Sequence, residues 1–528
     1  MLKWIVGSLL AVSGAAAAMP PGLQNLAGEL NAVPQVALPG VDVAAFKAQF
    51  AGVDKPPQPL VVAAPILTDL LPDAGRWEPL NDGSWLWRLR ITSAGAKSLH
   101  LRFADLALPP GAALYVYAPG GEDVRGPYTA SDVSPEGKLW TPLVRGDEAV
   151  VELVVPGGAR EQASFVIPAV YYGIEEFWKA DDPQFKEGAC HVDVVCPQAA
   201  GKGDIVRSAG RITFDIVSCV PLLGCTVAGV GLCSGALINN TSGNGTPYFL
   251  TANHCVSSQQ SASSVVAYWN YQKTSCNGPS NGSLNQTQTG STLRATSPAT
   301  DFTLLQLSTA LNPGFNLFLS GWDRGSAAPG SAVTIHHPDG SEKRISFKNG
   351  PLQITSLPGN TSPGDGNALR VADWDLGATE PGSSGAGLWN GQNRLVGQLS
   401  QGNSACSGAV DNGGEDWYGR FARAWDAGGS SASRLRDWLD PGNTGATQVD
   451  GRNASTGGGT GGAGGTGGSG GGGSGGRAPT PVDDDGGGGG CTVAQRGSGL
   501  GLVLLLILGG MAWRFAEGRA PARTRPAK

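Results

Sequence analysis

The sequence predicts an all-β protein built from more than one domain. Three observations carry that expectation. Apolar and polar residues alternate with period two in short runs, Gly- and Pro-containing turns separate those runs, and eight cysteines form an even set between Cys190 and Cys406. At 528 residues the chain has room for about two to four domains. Hydrophobic residues make up 40%, enough to bury real cores, which excludes wholesale disorder. With 37 basic against 43 acidic side chains the net charge is -6, so no basic surface argues for nucleic acid.

Residues 1–18 read as a secretory signal. Lys3 precedes an apolar run from Trp4 to Val12, and Ala16-Ala17-Ala18 offers a small-residue cleavage site. Export places the cysteines in an oxidising compartment. Residues 19–186 contain no cysteine; alternating runs at 85–91, 98–103, 113–117 and 149–155 predict a β-sandwich or sheet, and 41–51 a short helix. This region reads as a pro-domain that assists folding or blocks the active site until removed, a carbohydrate- or protein-binding module being the competing view. Its one histidine, His100, reads as a surface side chain on an alternating run. The polar stretch from Lys179 to Lys186 is where a maturation cut is expected.

Residues 187–450 carry the chemistry. Apolar runs at 235–238, 248–251, 265–269 and 302–307, divided by Gly, Asn and Ser, predict an antiparallel β-barrel, with one helix at 432–439 closed by Pro441-Gly442. Three local signals follow one another. A histidine ends Tyr248-Phe249-Leu250-Thr251-Ala252-Asn253-His254-Cys255, an aspartate opens Asp301-Phe302-Thr303-Leu304-Leu305, and a serine sits in Glu380-Pro381-Gly382-Ser383-Ser384-Gly385-Ala386-Gly387.

A serine hydroxyl is a poor nucleophile until a base takes its proton as attack begins. An imidazole does this near neutral pH, and a buried carboxylate fixes its tautomer and stabilises the imidazolium. The glycines around Ser384 allow a sharp turn, so that the Gly382 and Ser384 amides can converge on one oxyanion. The order His254, Asp301, Ser384 matches the chymotrypsin arrangement and not the subtilisin or α/β-hydrolase orders. The adjacent pair His336-His337 is not expected to chelate a metal, because neighbours on a strand point to opposite faces.

The region from Cys190 to Asp450 resembles the lysyl endopeptidases, bacterial trypsin-like serine proteases. The resemblance rests on His191-Val192-Asp193-Val194-Val195-Cys196-Pro197, Leu237-Ile238-Asn239-Asn240-Thr241, Ala267-Tyr268-Trp269-Asn270-Tyr271-Gln272, Gly321-Trp322-Asp323-Arg324, Ile335-His336-His337-Pro338 and Glu342-Lys343-Arg344-Ile345-Ser346. It implies a chymotrypsin-like double β-barrel with His254 as base, Asp301 as orienting acid and Ser384 as nucleophile. It also implies the bridges Cys190–Cys406, Cys196–Cys276 and Cys233–Cys255. Cys219 and Cys225 remain; they are close enough in sequence to pair with each other, but spacing alone does not fix the connectivity.

A pocket for a basic side chain needs a carboxylate at its base, because a buried cation left unpaired is costly. Trypsin carries that aspartate six residues before the nucleophile, where this chain has Ala378. The lysyl endopeptidases take it from a later Asp-x-Tyr-Gly-Arg segment, here Asp416-Trp417-Tyr418-Gly419-Arg420, which makes Asp416 the candidate and Glu415 its local rival. Their Gly-Gln-Leu-His segment reads Gly397-Gln398-Leu399-Ser400 here, so the pocket wall differs. The expected activity is endopeptidase cleavage after lysine, with arginine the alternative, by an acyl-enzyme route in a monomer needing no cofactor or metal. The competing reading is an inactive protease-like adhesion protein displayed on a tether.

From Gly457 to Gly490 glycine dominates around the acidic knot Asp483-Asp484-Asp485, the composition of a flexible linker, expected to span 451–490. In 491–528, Cys491 is followed by an apolar run over 499–513 and then Arg514, Arg519, Arg523, Arg525 and Lys528. The run is short for a membrane helix of about 20 residues, and the basic end would stay cytoplasmic. This tail resembles the bacterial CTERM-type sorting signals, which implies membrane retention with processing or lipidation near Cys491. Surface attachment, or release after processing, is the expected location.

Overall fold

In the computed structural model, the described residues are 19–24, 28–51, 58–176, 178, 188–220, 224–357 and 364–454. The expected signal at 1–18, Lys179 and Lys186, the linker from 455 onward, Cys491 and the apolar run at 499–513 lie outside them. Among the described residues no helix is long and apolar enough to cross a membrane.

The fold is all-β. Towards the N-terminus, a sheet runs in the order Gln35–Leu38, Trp85–Ser93, Glu148–Val155, Ala113–Tyr117, Arg125–Tyr128, with Arg76–Pro79 also paired to Trp85–Ser93. The strands Leu60–Leu70, Ser164–Gly173, Ser98–Ala107 and Leu139–Trp140 make a second layer, and Trp87, Leu89, Leu101, Phe103, Leu153 and Ile167 fill the core between the two. Helix Val43–Ala48 is capped by the Asp42 carboxylate, which accepts from the Ala45 N–H. His100 is not a free surface side chain: its ring stacks on Tyr171 at 4.5 Å, and burial pulls its pKa down to about 3.

In the C-terminal region that second layer continues as one sheet, and a separate large sheet is added. The first follows the order Thr287–Thr289, Val266–Trp269, Ala209–Val220, Gly224–Ile238, with Tyr248–Ala252 next to Gly224–Ile238 and then Phe302–Leu307 and Ser291–Ser297. The first and last strands of that series are joined through Gly290 alone, so the sheet curls round its own core of Ile212, Phe214, Leu237, Phe249, Trp269 and Leu305. The second runs Val192–Asp193, Arg344–Lys348, Ala332–His336, Gly387–Asn390, Leu395–Gly402, Asp416–Arg420, Ala368–Val371, Gln353–Thr355, around Leu369, Val371, Leu388, Leu399 and Tyr418. Just beyond residue 450, Arg452–Asn453 pairs with Phe318–Leu319.

The helix expected at 432–439 is split into a 3-10 turn at Ser431–Ser433 and an α-helix at Arg436–Leu439. Arg434 is extended between them, and the Leu435 N–H donates to Ala424 O, drawing the chain onto helix Phe421–Ala424 so that Leu435 and Leu439 are buried.

Strand Leu60–Leu70 links the N-terminal and C-terminal regions. It lies between Ser164–Gly173 and Gly224–Ile238, pairing Ala63 with Val230 and Leu60 with Leu232. Val62, Ala63, Trp140, Leu143 and Tyr171 share a core with Val230, Leu232, Tyr268, Tyr271 and Leu284. Within it Asp215 accepts from Trp140 Nε1 at 3.1 Å and Tyr171 Oη at 3.0 Å.

Four disulfides join Cys190–Cys406, Cys196–Cys276, Cys219–Cys225 and Cys233–Cys255. Four lysines lie between Cys190 and Ala454. Each ammonium has a partner: Lys202 on Asn393 Oδ1, Lys273 on Asp193, Lys343 on Val206 O and Lys348 on Asp375.

Candidate active site

His254 stands just beyond the end of strand Tyr248–Ala252, and Asp301 just before Phe302–Leu307, its antiparallel neighbour. The pairing of those strands brings two residues 47 positions apart into contact. His254 Nδ1 lies 2.7 Å from Asp301 Oδ2, and the His254 backbone N–H donates to Asp301 Oδ1 at 2.9 Å. Two contacts on one carboxylate fix both the ring and its backbone. Asp301 adopts a left-handed φ of 51°, uncommon for a residue with a side chain. Gln398 Nε2 holds that turn, donating to Thr300 O at 2.8 Å and Asp301 O at 3.2 Å. With Nδ1–H committed to Asp301, His254 Nε2 is the acceptor nitrogen, and it is buried without a hydrogen-bond partner.

Ser384 comes from the other sheet, in the turn before Gly387–Asn390. Its carbonyl accepts from the Ser234 N–H at 2.8 Å, and Ser234 adjoins Cys233, which is bonded to Cys255 beside His254. Gly385 meets the strand that leads to His254 so closely that a Cβ there would stand 2.3 Å from Thr251 Oγ1 and 2.9 Å from Ala252 N. Gly382, at φ 90°, is equally constrained: a Cβ would lie 2.8 Å from His337 O. Among the described residues the Gly382 and Ser384 N–H groups donate to nothing, the condition of amides open to an incoming oxyanion.

Asp416 is wholly buried at the start of strand Asp416–Arg420. Its Oδ2 accepts from Trp374 Nε1 at 2.6 Å and Thr379 Oγ1 at 2.8 Å, while Oδ1 is buried with no partner. Burial pushes its pKa up to about 7 against the opposing pull of those hydrogen bonds. Gly402 pairs with Asp416 across the sheet, and a Cβ there would be 1.8 Å from Oδ1. Only the missing side chain of Gly402 leaves room for that oxygen. The rival Glu415 is instead ion-paired with Arg370. Ser400 is buried in the bulge between Leu399 and Gln401.

Trp374, Thr379 and Gly402 carry no signal of their own in the sequence, beyond Thr379 standing just ahead of the Ser384 segment. Cys190, His191 and Cys406, and likewise Cys233, His254 and Cys255, cluster with metal-ligand spacing. Their sulfurs are bonded to one another, so neither cluster offers a thiolate. His336 and His337 face different partners, Ser383 and Ser341 O.

A fold and site of this kind belong to a serine endopeptidase. The family model "Lysyl endopeptidase, C-terminal domain" matches residues 186–419, and "Lysyl endopeptidase N-terminal domain" matches 57–172. The lysyl endopeptidase of Pseudomonas aeruginosa is 29% identical over 456 residues, which cover 78% of this chain and 94% of that protein. The chain is a lysyl endopeptidase-like protease. Among solved structures, the HtrA-type protease AlgW with a tripeptide matches at a TM-score of 0.29 and 15% identity, over 47% of this chain and 65% of that one, just under two thirds.

Proposed function

We propose that this protease cleaves peptide bonds on the carboxyl side of lysine, and of arginine less strictly, with Ser384 as nucleophile, His254 as general base and Asp301 as its orienting acid. The observation that carries the specificity is the unpartnered Oδ1 of the buried Asp416. A buried acceptor without a donor is costly, and an ammonium or guanidinium entering above Gly402 supplies the missing charge-assisted bond.

His254 Nε2 takes the Ser384 proton as the hydroxyl attacks the scissile carbonyl. The carbonyl oxygen, now negative, is met by the Gly382 and Ser384 amides. The imidazolium, steadied by Asp301, gives its proton to the leaving amine, and water repeats the sequence on the acyl-enzyme. The N-terminal region acts as a pro-domain, and the chain is exported and held at the cell surface by its C-terminal tail.

A fluorophosphonate probe tests the nucleophile: wild type is labelled and Ser384→Ala is not. Labelling that survives Ser384→Ala would remove Ser384 from this role, and no labelling of wild type would favour the inactive tethered adhesion protein.

A further inference from the structure

The nucleophile turn is held from behind by a buried hydrogen-bond relay, and its direction can be deduced atom by atom. Ser346 Oγ lies 2.8 Å from Ala378 O; a carbonyl only accepts, so the single Ser346 proton is committed there. His336 Nε2 lies 3.2 Å from the same Oγ and must therefore carry the proton of that contact. A neutral imidazole protonated at Nε2 has a bare Nδ1. That Nδ1 sits 2.7 Å from Ser383 Oγ and accepts the Ser383 hydroxyl. Ser383 Oγ in turn accepts from the Glu380 N–H at 3.1 Å.

Every donor thus points one way, from Glu380 N–H through Ser383, His336 and Ser346 to Ala378 O. His336, Ser383 and Ser346 are all fully buried. Gly377, at φ 82°, makes the last contact possible, since a Cβ there would be 2.5 Å from Ser346 Oγ. The relay pins the turn at 378, 380 and 383 to the hairpin of strands Ala332–His336 and Arg344–Lys348.

Burial, with the neighbouring His191, keeps His336 far below the usual histidine range, so the neutral tautomer that the geometry demands is the one present. His191 packs edge-on at 5.7 Å, and its Nε2 lies 2.9 Å from Glu380 Oε2, a second tie on the same turn. Glu380 Oε1 also accepts from the Cys406 N–H at 3.1 Å.

We propose that His336 is a positioning residue for the oxyanion amides: a neutral, Nε2-protonated strut whose bond to Ser383 sets where the Gly382 and Ser384 N–H groups point. The proposal rests on the assignment of Ser384 as nucleophile. Misplacing such donors by a fraction of a bond length costs rate and not substrate affinity, because the charge they meet develops only in the transition state.

The test uses the matured enzyme and its His336→Phe and Ser383→Ala variants, with three measurements. These are kcat and KM on a lysyl peptide amide, inhibition by a peptidyl-lysine aldehyde whose adduct carries the oxyanion, and inhibition by a plain alkylamine that fills only the basic pocket. In both variants kcat is expected to fall about 100-fold with KM within about twofold, and aldehyde affinity to fall by a similar factor while the amine binds unchanged. If aldehyde and amine weaken equally, or kcat holds, the proposal is overturned. Should His336→Phe fail to fold, Ser383→Ala, which deletes one hydroxyl, decides alone. A wild-type enzyme that neither the aldehyde nor the fluorophosphonate touches would instead count against the nucleophile assignment itself.

Discussion

Asp416→Asn is expected to move activity and stability in opposite directions. The carboxylate and the carboxamide have nearly the same shape, and the amide oxygen can still accept from Trp374 and Thr379 where Oδ2 did. What is lost is the negative charge facing an incoming lysine. Leaving one partner of a buried ion pair uncompensated costs about 3–5 kcal/mol. At about 1.4 kcal/mol per decade, that predicts a fall in kcat/KM on lysyl substrates of roughly two to three and a half powers of ten. A norleucine substrate of similar length is expected to change by less than about threefold.

Stability should respond with the other sign. Asp416 has its pKa raised from 3.8 to about 7, so the folded state holds the proton more tightly than the unfolded one. That advantage is complete below about pH 4 and is lost as pH rises through 7, leaving an ionised, half-satisfied carboxylate that costs on the order of 4 kcal/mol above neutrality. Asparagine removes that cost but buries an amide N–H without a partner, at about 1–3 kcal/mol. The net is a variant about 1–3 kcal/mol more stable than wild type at pH 8 and no more stable near pH 4. Urea unfolding at the two pH values, with steady-state assays on lysyl and norleucyl peptides, checks both halves. A variant that keeps lysyl activity within tenfold, or that is destabilised more at pH 8 than at pH 4, would refute the placement of Asp416 at the base of the pocket.

The same carboxylate shapes the pH profile. On lysyl substrates kcat/KM should drop more steeply below pH 7 than on norleucyl ones, the ratio falling about tenfold per pH unit, and this difference should vanish in Asp416→Asn. Gly402→Ala places a methyl group on Asp416 Oδ1, and is expected to lower kcat/KM for lysine by at least about 100-fold while sparing fluorophosphonate labelling. Asp301→Asn should lower kcat by about 10⁴-fold, because the amide favours the wrong His254 tautomer; burst kinetics with an active-site titrant will read it.

Strands whose second face carries charged or tyrosine side chains were visible as alternation even where that face is buried, as at Trp85–Ser93 and Ala113–Tyr117. Leu60–Leu70 was not, because its first half is covered on both sides and Leu67 further on is exposed. Val62 and Ala63 enter the core shared with the C-terminal region while Ala64 and Ile66 enter the N-terminal one, which erases the period of two. Pro65 further disguised it; the pairing with Gly224–Ile238 stops at Ala63, short of the proline. His254, Asp301 and Ser384 were legible as candidates because each sits in a short, chemically distinctive segment, and the structure joins the first two. Trp374 and Gly402 were not, since their meaning depends on where Asp416 points across a sheet. His100 was misjudged for the same reason: the ring that covers it, Tyr171, lies on a strand far along the chain.

The bond between Cys190 and Cys406 has a consequence for an enzyme living among copies of itself. It closes a loop with a sequence separation of 216, and all four lysines of the described C-terminal region lie inside that loop. Each has its ammonium engaged, one of them wholly buried, so under the proposed lysine preference a neighbouring copy finds few free handholds here. Where a neighbour does succeed in nicking the chain, the two pieces remain covalently joined and the pocket stays tied to the segment that begins at Cys190. For cleavage after lysine, the scarcity of that residue and the closing of the ring would together limit what self-digestion can do.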